Sequence, residues 1–104
     1  MAKITKHAKK RAKERCGFNH KTINRMADKI LEQGIRHCEC TGQLKRWVDG
    51  LYLENKTANN IRLYGDKAYL FHGISLITII QIPNNLMDQA RKIQKRKNTD
   101  KKEP

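Results

Sequence analysis

From Asn59 to Pro83 the sequence adopts a period of two, and no other feature restricts the fold as strongly. The segment NIRLYGDKAYLFHGISLITIIQIP holds three runs rich in β-branched and aromatic residues, separated by GD and HG, both suited to tight turns. Strands joined so closely pair antiparallel, because a parallel connection needs a crossover of about a dozen residues. The last run, Ile74 to Ile82, is apolar on both faces through Leu76, Ile77, Ile79 and Ile80, which predicts a central or well-covered strand. Pro83 ends it.

The preceding residues are patterned as helices. Ile4, Ala8, Ala12 and Cys16 recur every four residues, a narrow apolar stripe whose small side chains admit a close neighbour, and Gly17 closes that helix. A second helix is predicted from near Asn19, a good capping residue, to Gly34, with Ile23, Met26, Ala27, Ile30 and Leu31 on its buried face. After IRHCEC, Thr41 is placed to cap a third helix that turns Leu44, Trp47, Val48 and Leu51 inward. Beyond Pro83, Asn84 or Asn85 opens a last helix containing Leu86, Ala90 and Ile93. The expected architecture is one α+β domain over residues 1–97: helices packed on a small antiparallel sheet, a three-stranded meander with AKIT as a candidate fourth, N-terminal strand, and a C-terminal helix. Residues 98–104 lack any apolar period and read as a disordered polar tail.

A chain of 104 residues closes one modest core, so charge decides what it meets. Its 23 Lys and Arg face 10 Asp and Glu, a net charge of +13 that repels itself unless a polyanion relieves it. Nucleic acid is the commonest such partner; an anionic membrane surface and a solvated basic coat are the rival readings. No apolar run approaches the roughly 18 residues of a membrane span, and the first residues lack the apolar core of a secretory signal, so a cytoplasmic protein without a membrane partner is expected. Lys3, Lys6, Lys9, Lys10 and Lys13 surround the first helix, and Arg91, Lys92, Lys95 and Arg96 load the last. These are the expected phosphate-binding residues, forming one surface if the two helices lie together.

His7, Arg11 and Arg15 run four apart beside the apolar stripe, with Glu14 one position back. RNA cleavage needs a proton acceptor for the 2′-hydroxyl, a proton donor for the leaving oxygen and cations around the phosphorane, which these side chains would provide. The same residues also fit a solvated ion-pair network around Glu14. Tyr64, Tyr69, Phe71 and His72 fall on strands, where aromatics either stack bases or pack beneath a helix. Cys16, Cys38 and Cys40, with His20 or His37, are the residues from which a zinc site would be built. A single Cys-x-Cys is a weak signal, and reduced thiols with no metal or cofactor are expected. No Gly-rich phosphate loop or Ser-His-Asp pattern supports a nucleotide hydrolase or protease.

The spacing His7-Ala8-x-x-Arg11-x-x-Glu14-Arg15, with the YGDKAYLFHGISLITIIQIP meander, resembles small bacterial and phage proteins related to RelE- and BrnT-like mRNA interferases. That resemblance covers roughly half the chain. It implies a helical layer on an antiparallel sheet, RNA as substrate, no cofactor, and His7, Arg11, Arg15 and Tyr69 as catalytic residues. It also brings a small acidic antitoxin as a candidate partner. Three helices precede the sheet here, where those toxins begin with a strand and two helices, and the last strand lacks their terminal Arg or Tyr. The functional expectation is therefore nucleic-acid binding, RNA foremost, with metal-independent endoribonuclease activity as its sharper form. The alternatives are a noncatalytic accessory protein of a phage or mobile element and an inhibitor of a host nucleic-acid enzyme.

Overall fold

A computed structural model describes the backbone of residues 3–102, and the side chains of residues 3–97 apart from His20. The expected meander is present as β3 (Asn60–Tyr64), β4 (Lys67–His72) and β5 (Ser75–Gln81), paired antiparallel in sequence order. Each turn starts on a glycine with positive φ, Gly65 at 61° and Gly73 at 62°. The second turn is thus Gly73-Ile74, and His72 stays in the ladder opposite Ser75.

The sheet has five strands and is mixed, which corrects the all-antiparallel expectation. At one edge β1 (Lys3–Ile4) runs parallel to β5, and at the other β2 (Ile35–Arg36) runs antiparallel to β3, giving the order β1-β5-β4-β3-β2. The candidate N-terminal strand therefore exists. β2 was not expected, because two residues are too few to show a period.

Ile4 and Lys3 belong to β1, so the first helix is shorter than its apolar stripe. Thr5 caps α1 (Lys6–Cys16) by accepting the Ala8 amide at 3.2 Å, and Gly17 ends it at φ 70°, a value only glycine takes freely. Asn19 caps α2 (His20–Gln33), accepting the Thr22 amide at 2.9 Å. Thr41 precedes α3 (Gly42–Glu54) without a side-chain cap; its carbonyl accepts instead from Gln89 Nε2 of α4 (Asn84–Lys102) at 2.6 Å. α4 does not break at residue 97: the helical backbone continues through Lys102, into the expected tail, propagated from the good helix formers Gln94, Lys95, Arg96 and Lys97 just before it.

Helices cover both faces of the sheet, and the pleat sorts the core into two. Ile61, Leu63, Ala68 and Leu70 meet Leu44, Val48 and Leu51 of α3 and Leu86 and Ala90 of α4. Tyr69, Phe71, Leu76 and Ile79 meet Ala8 and Ala12 of α1 and Ile23, Ala27 and Ile30 of α2. Leu76 and Ile79 share a face although three apart, because the register slips between Leu70, opposite Thr78, and Phe71, opposite Leu76, leaving Ile77 as an extra residue. β5 is covered on both faces, Leu76 and Ile79 buried against α1 and α2 and Ile77 and Ile80 partly buried against the other core, which explains the doubly apolar last strand.

Gly34 joins α2 to β2 in an ordinary conformation, yet tolerates no side chain. A Cβ there would sit 2.6 Å from the Ile30 carbonyl oxygen and 3.0 Å from Arg62 Cβ. Gly34→Ala is expected to destabilise the protein by about 1–3 kcal/mol, read as a lower urea midpoint at unchanged slope. An unchanged midpoint would mean that α2 and β3 are further apart than described.

Candidate nucleic-acid interface

Helical spacing gathers His7, Arg11 and Arg15 on one flank of α1, and the fold turns that flank toward β5. β1 pairs only with Ser75 and Leu76, so beyond them the outer edge of β5 has no strand beside it among the described residues. There the three side chains line a cleft of about 410 Å³ with Ile77, Thr78 and Ile80 of β5 and with Asn55 and Thr57 from the loop after α3. Arg11 Nε donates to His7 Nε2 at 3.4 Å, a long bond that a phosphate oxygen would readily replace. Asn55 and Thr57 add polar groups with no period to announce them in the sequence.

The other flank of α1 carries a second hollow, about 310 Å³, between Lys9, Lys13, Phe18, Asn19 and Ile23. A basic ridge thus has a recess on each side. The ion-pair reading of this helix is corrected by its geometry: Glu14 is exposed and forms no salt bridge, and no carboxylate pairs with any α1 cation among the described residues. Lys6, Lys9, Lys10 and Lys13 are all exposed, and Lys3 stands on β1, not on the helix.

Tyr69 is not brought to this cleft. It is 3 % exposed beneath α1 and α2, and burial first, then Cys16 beside it, pushes its phenol well above the usual tyrosine range. A buried, firmly protonated phenol cannot reach a substrate in the cleft. Phe71 is buried in the same core, Tyr64 is half-buried with Lys29 Nζ 5.7 Å from its ring centre, and His72 is exposed with Nδ1 2.8 Å from the Thr57 carbonyl. Tyr69 and Phe71 therefore pack under helices, the commoner of the two fates open to strand aromatics.

The second basic set lies elsewhere. α4 packs on the face opposite α1, so Arg91, Lys92, Lys95 and Arg96 do not extend the α1 ridge into a single surface. Arg91 leans on Asp88 at 3.7 Å, and Lys97 is tied to Glu39 at 2.8 Å. The thiols are likewise separated: Cys16 borders the α1–α2 core, Cys40 is buried in the other core, and Cys38 is exposed. Burial pushes the Cys40 thiol up to about 11. No group of three or more metal-ligating side chains occurs among the described residues; the side chain of His20 lies outside them.

One further constellation has no counterpart in the sequence pattern. His37, in a short 3-10 turn, bonds Asp49 of α3 through Nε2 at 2.5 Å, with its ring edge-on to Tyr52 at 5.2 Å. Leu53, 75 % exposed, completes a shallow hollow there. The carboxylate spends the nitrogen it holds, and Tyr52 itself accepts the Ile61 amide at 2.9 Å, so the group fastens α3 to the sheet. Among the described residues no helix is long and apolar enough to cross a membrane. Compared with protein families, curated proteins and solved structures, the chain matches none.

Proposed function

We propose that this is a nucleic-acid-binding protein that grips a single strand, RNA foremost, along α1. The observation that carries the reading is the row of cations on α1, unpaired with any carboxylate and flanked by two recesses. Such a ridge neutralises phosphates, and recesses beside it accept bases splayed from a single strand, which a duplex does not present. The convergence of His7, Arg11 and Arg15 on one cleft favours a second reading, metal-independent cleavage of the kind implied by the mRNA-interferase resemblance. In that form His7 exchanges protons while the arginines hold the phosphorane charge. Without Tyr69, His7 is the only titratable side chain of the cleft suited to both proton transfers.

Labelled single-stranded RNA separates these readings. Arg11→Ala and Arg15→Ala are each expected to weaken binding about tenfold, as loss of a charge-assisted hydrogen bond does, with unchanged thermal melts. Wild-type protein that cuts RNA on a denaturing gel, is indifferent to EDTA and is silenced by His7→Ala carries the nuclease reading. RNA left intact, both alone and in a translating extract, ends that reading and leaves the clamp. Failure to bind single-stranded RNA, single-stranded DNA and duplex DNA alike removes nucleic acid altogether.

A further inference from the structure

At the edge of the sheet farthest from the cleft, the pairing of β2 with β3 sets Arg36 directly opposite Arg62. Their neighbours Ile35 and Leu63 point into the α3–α4 core, so the pleat turns both arginines to the other face. Like charges placed opposite each other across strands are destabilising, and facing side chains there stand only about 5 Å apart at Cβ. One carboxylate is near. Glu39 Oε1 takes the Arg36 backbone amide at 2.9 Å, Lys97 Nζ at 2.8 Å and Arg36 Nε at 3.5 Å. Burial raises this carboxyl, but the hydrogen bonds from Lys97 and the Arg36 backbone outweigh it and hold the group below its ordinary range. That oxygen is thus already committed, and Arg62 forms no salt bridge with it or with any other described carboxylate.

The Arg62 side chain is fixed. Its Nε donates to Asn60 Oδ1 at 2.8 Å, two residues along the same face, which orients the guanidinium plane and leaves its two terminal nitrogens outside that bond. The stem is half-buried, so the charge is partly desolvated, whereas Arg36 is 56 % exposed and open to solvent. Burial and then Arg36 both disfavour the Arg62 charge. Two guanidiniums set side by side, one pre-oriented and the other accessible, with the one nearby carboxylate held by Lys97 and Arg36, suit the two-donor geometry by which arginine takes a phosphoryl group.

We infer that Arg36 and Arg62 form a phosphoryl-binding fork on the β2–β3 edge, separate from the α1 cleft. Its occupant is a phosphate group, carried either by a nucleic-acid backbone or by free inorganic phosphate. Binding replaces a repulsion by two charge-assisted contacts, so removing an arginine has opposite effects on the free and the liganded protein.

The test is thermal unfolding at constant ionic strength, with chloride exchanged for inorganic phosphate. Phosphate is expected to raise the wild-type Tm by about 5 °C more than that of the Arg36→Gln/Arg62→Gln protein, whose smaller shift reports the α1 cations and the anion's general stabilising effect. In chloride, Arg36→Gln, at an exposed position, is expected to melt above wild type and to lose most of the phosphate shift. Arg62→Lys, which keeps the charge but not the fork, checks that the loss is not misfolding: it melts cooperatively and responds weakly. An equal phosphate shift in wild type and the double variant, or none in wild type, overturns the fork. A second arm titrates labelled RNA: weaker binding by Arg36→Gln identifies the occupant as a backbone phosphodiester, and unchanged binding with a lost phosphate shift identifies it as the free anion. Because the phosphate arm needs no RNA, failure of the α1 reading leaves this result standing.

Discussion

Ala12→Glu is expected to abolish the cooperative thermal transition. Ala12 is 0 % exposed in a core that, among the described residues, contains no buried charged side chain, its polar groups being the Tyr69 phenol and the Cys16 thiol bonded to each other, so the new carboxylate would meet no cation. Burying an unpaired carboxylate costs several kcal/mol even after it takes up a proton, and overpacking adds about 1–3. Total stability for a chain of this size is about 5–15 kcal/mol, and small domains sit low in that range. Lys9→Glu, on the exposed side of the same helix, is expected to melt like wild type while binding RNA more weakly. Circular dichroism melts of the two proteins check this, and a wild-type melt for Ala12→Glu would mean that α1 does not seat on the sheet by its alanines.

RNA affinity is expected to fall by about a hundredfold as monovalent salt rises from about 50 to 200 mM. Roughly five phosphate contacts along α1 give a slope near −3.5 in a plot of log K against log salt, because each neutralised phosphate of a single strand releases about 0.7 of a counterion. Lys9→Ala/Lys13→Ala should flatten that slope by about 1.4 and weaken binding to all sequences alike. Anisotropy titrations at several salt concentrations measure both quantities. A flat plot for wild type would assign any RNA binding to base contacts and refute the ridge.

The meander and the helix ends were legible in the sequence because each rests on local chemistry. Gly65 and Gly73 supply positive φ, Asn19 caps α2, and Pro83 stops β5. β1 was legible only as the candidate strand AKIT, without its partner, and β2 not at all, since two-residue strands exist through pairing with distant residues. The candidate site divides along the same line. His7, Arg11 and Arg15 follow from helical spacing within one element, whereas Asn55, Thr57 and Thr78 reach the cleft by tertiary packing. Tyr69 misled for a related reason: alternation says that Tyr69 and Phe71 share a face, but not whether a helix lies on it. Here the α1–α2 layer does. Arg36 and Arg62 escaped notice because their meeting depends on the register of a strand the pattern could not show.

The parallel pairing of β1 with β5 has a consequence for the order in which the chain matures. Lys3 and Ile4 are made well before their partners, Ser75 and Leu76, which follow only after α2, α3 and most of the meander. α1 waits as well, because its buried alanines rest beside Leu76 and Ile79. Until β5 is made, the segment 3–16 is therefore a tethered, strongly cationic peptide with its small apolar stripe uncovered by the sheet, and docking it is an event of high contact order. The cleft forms in that same event, so a nascent or truncated chain that stops before β5 carries the positive charge without the site.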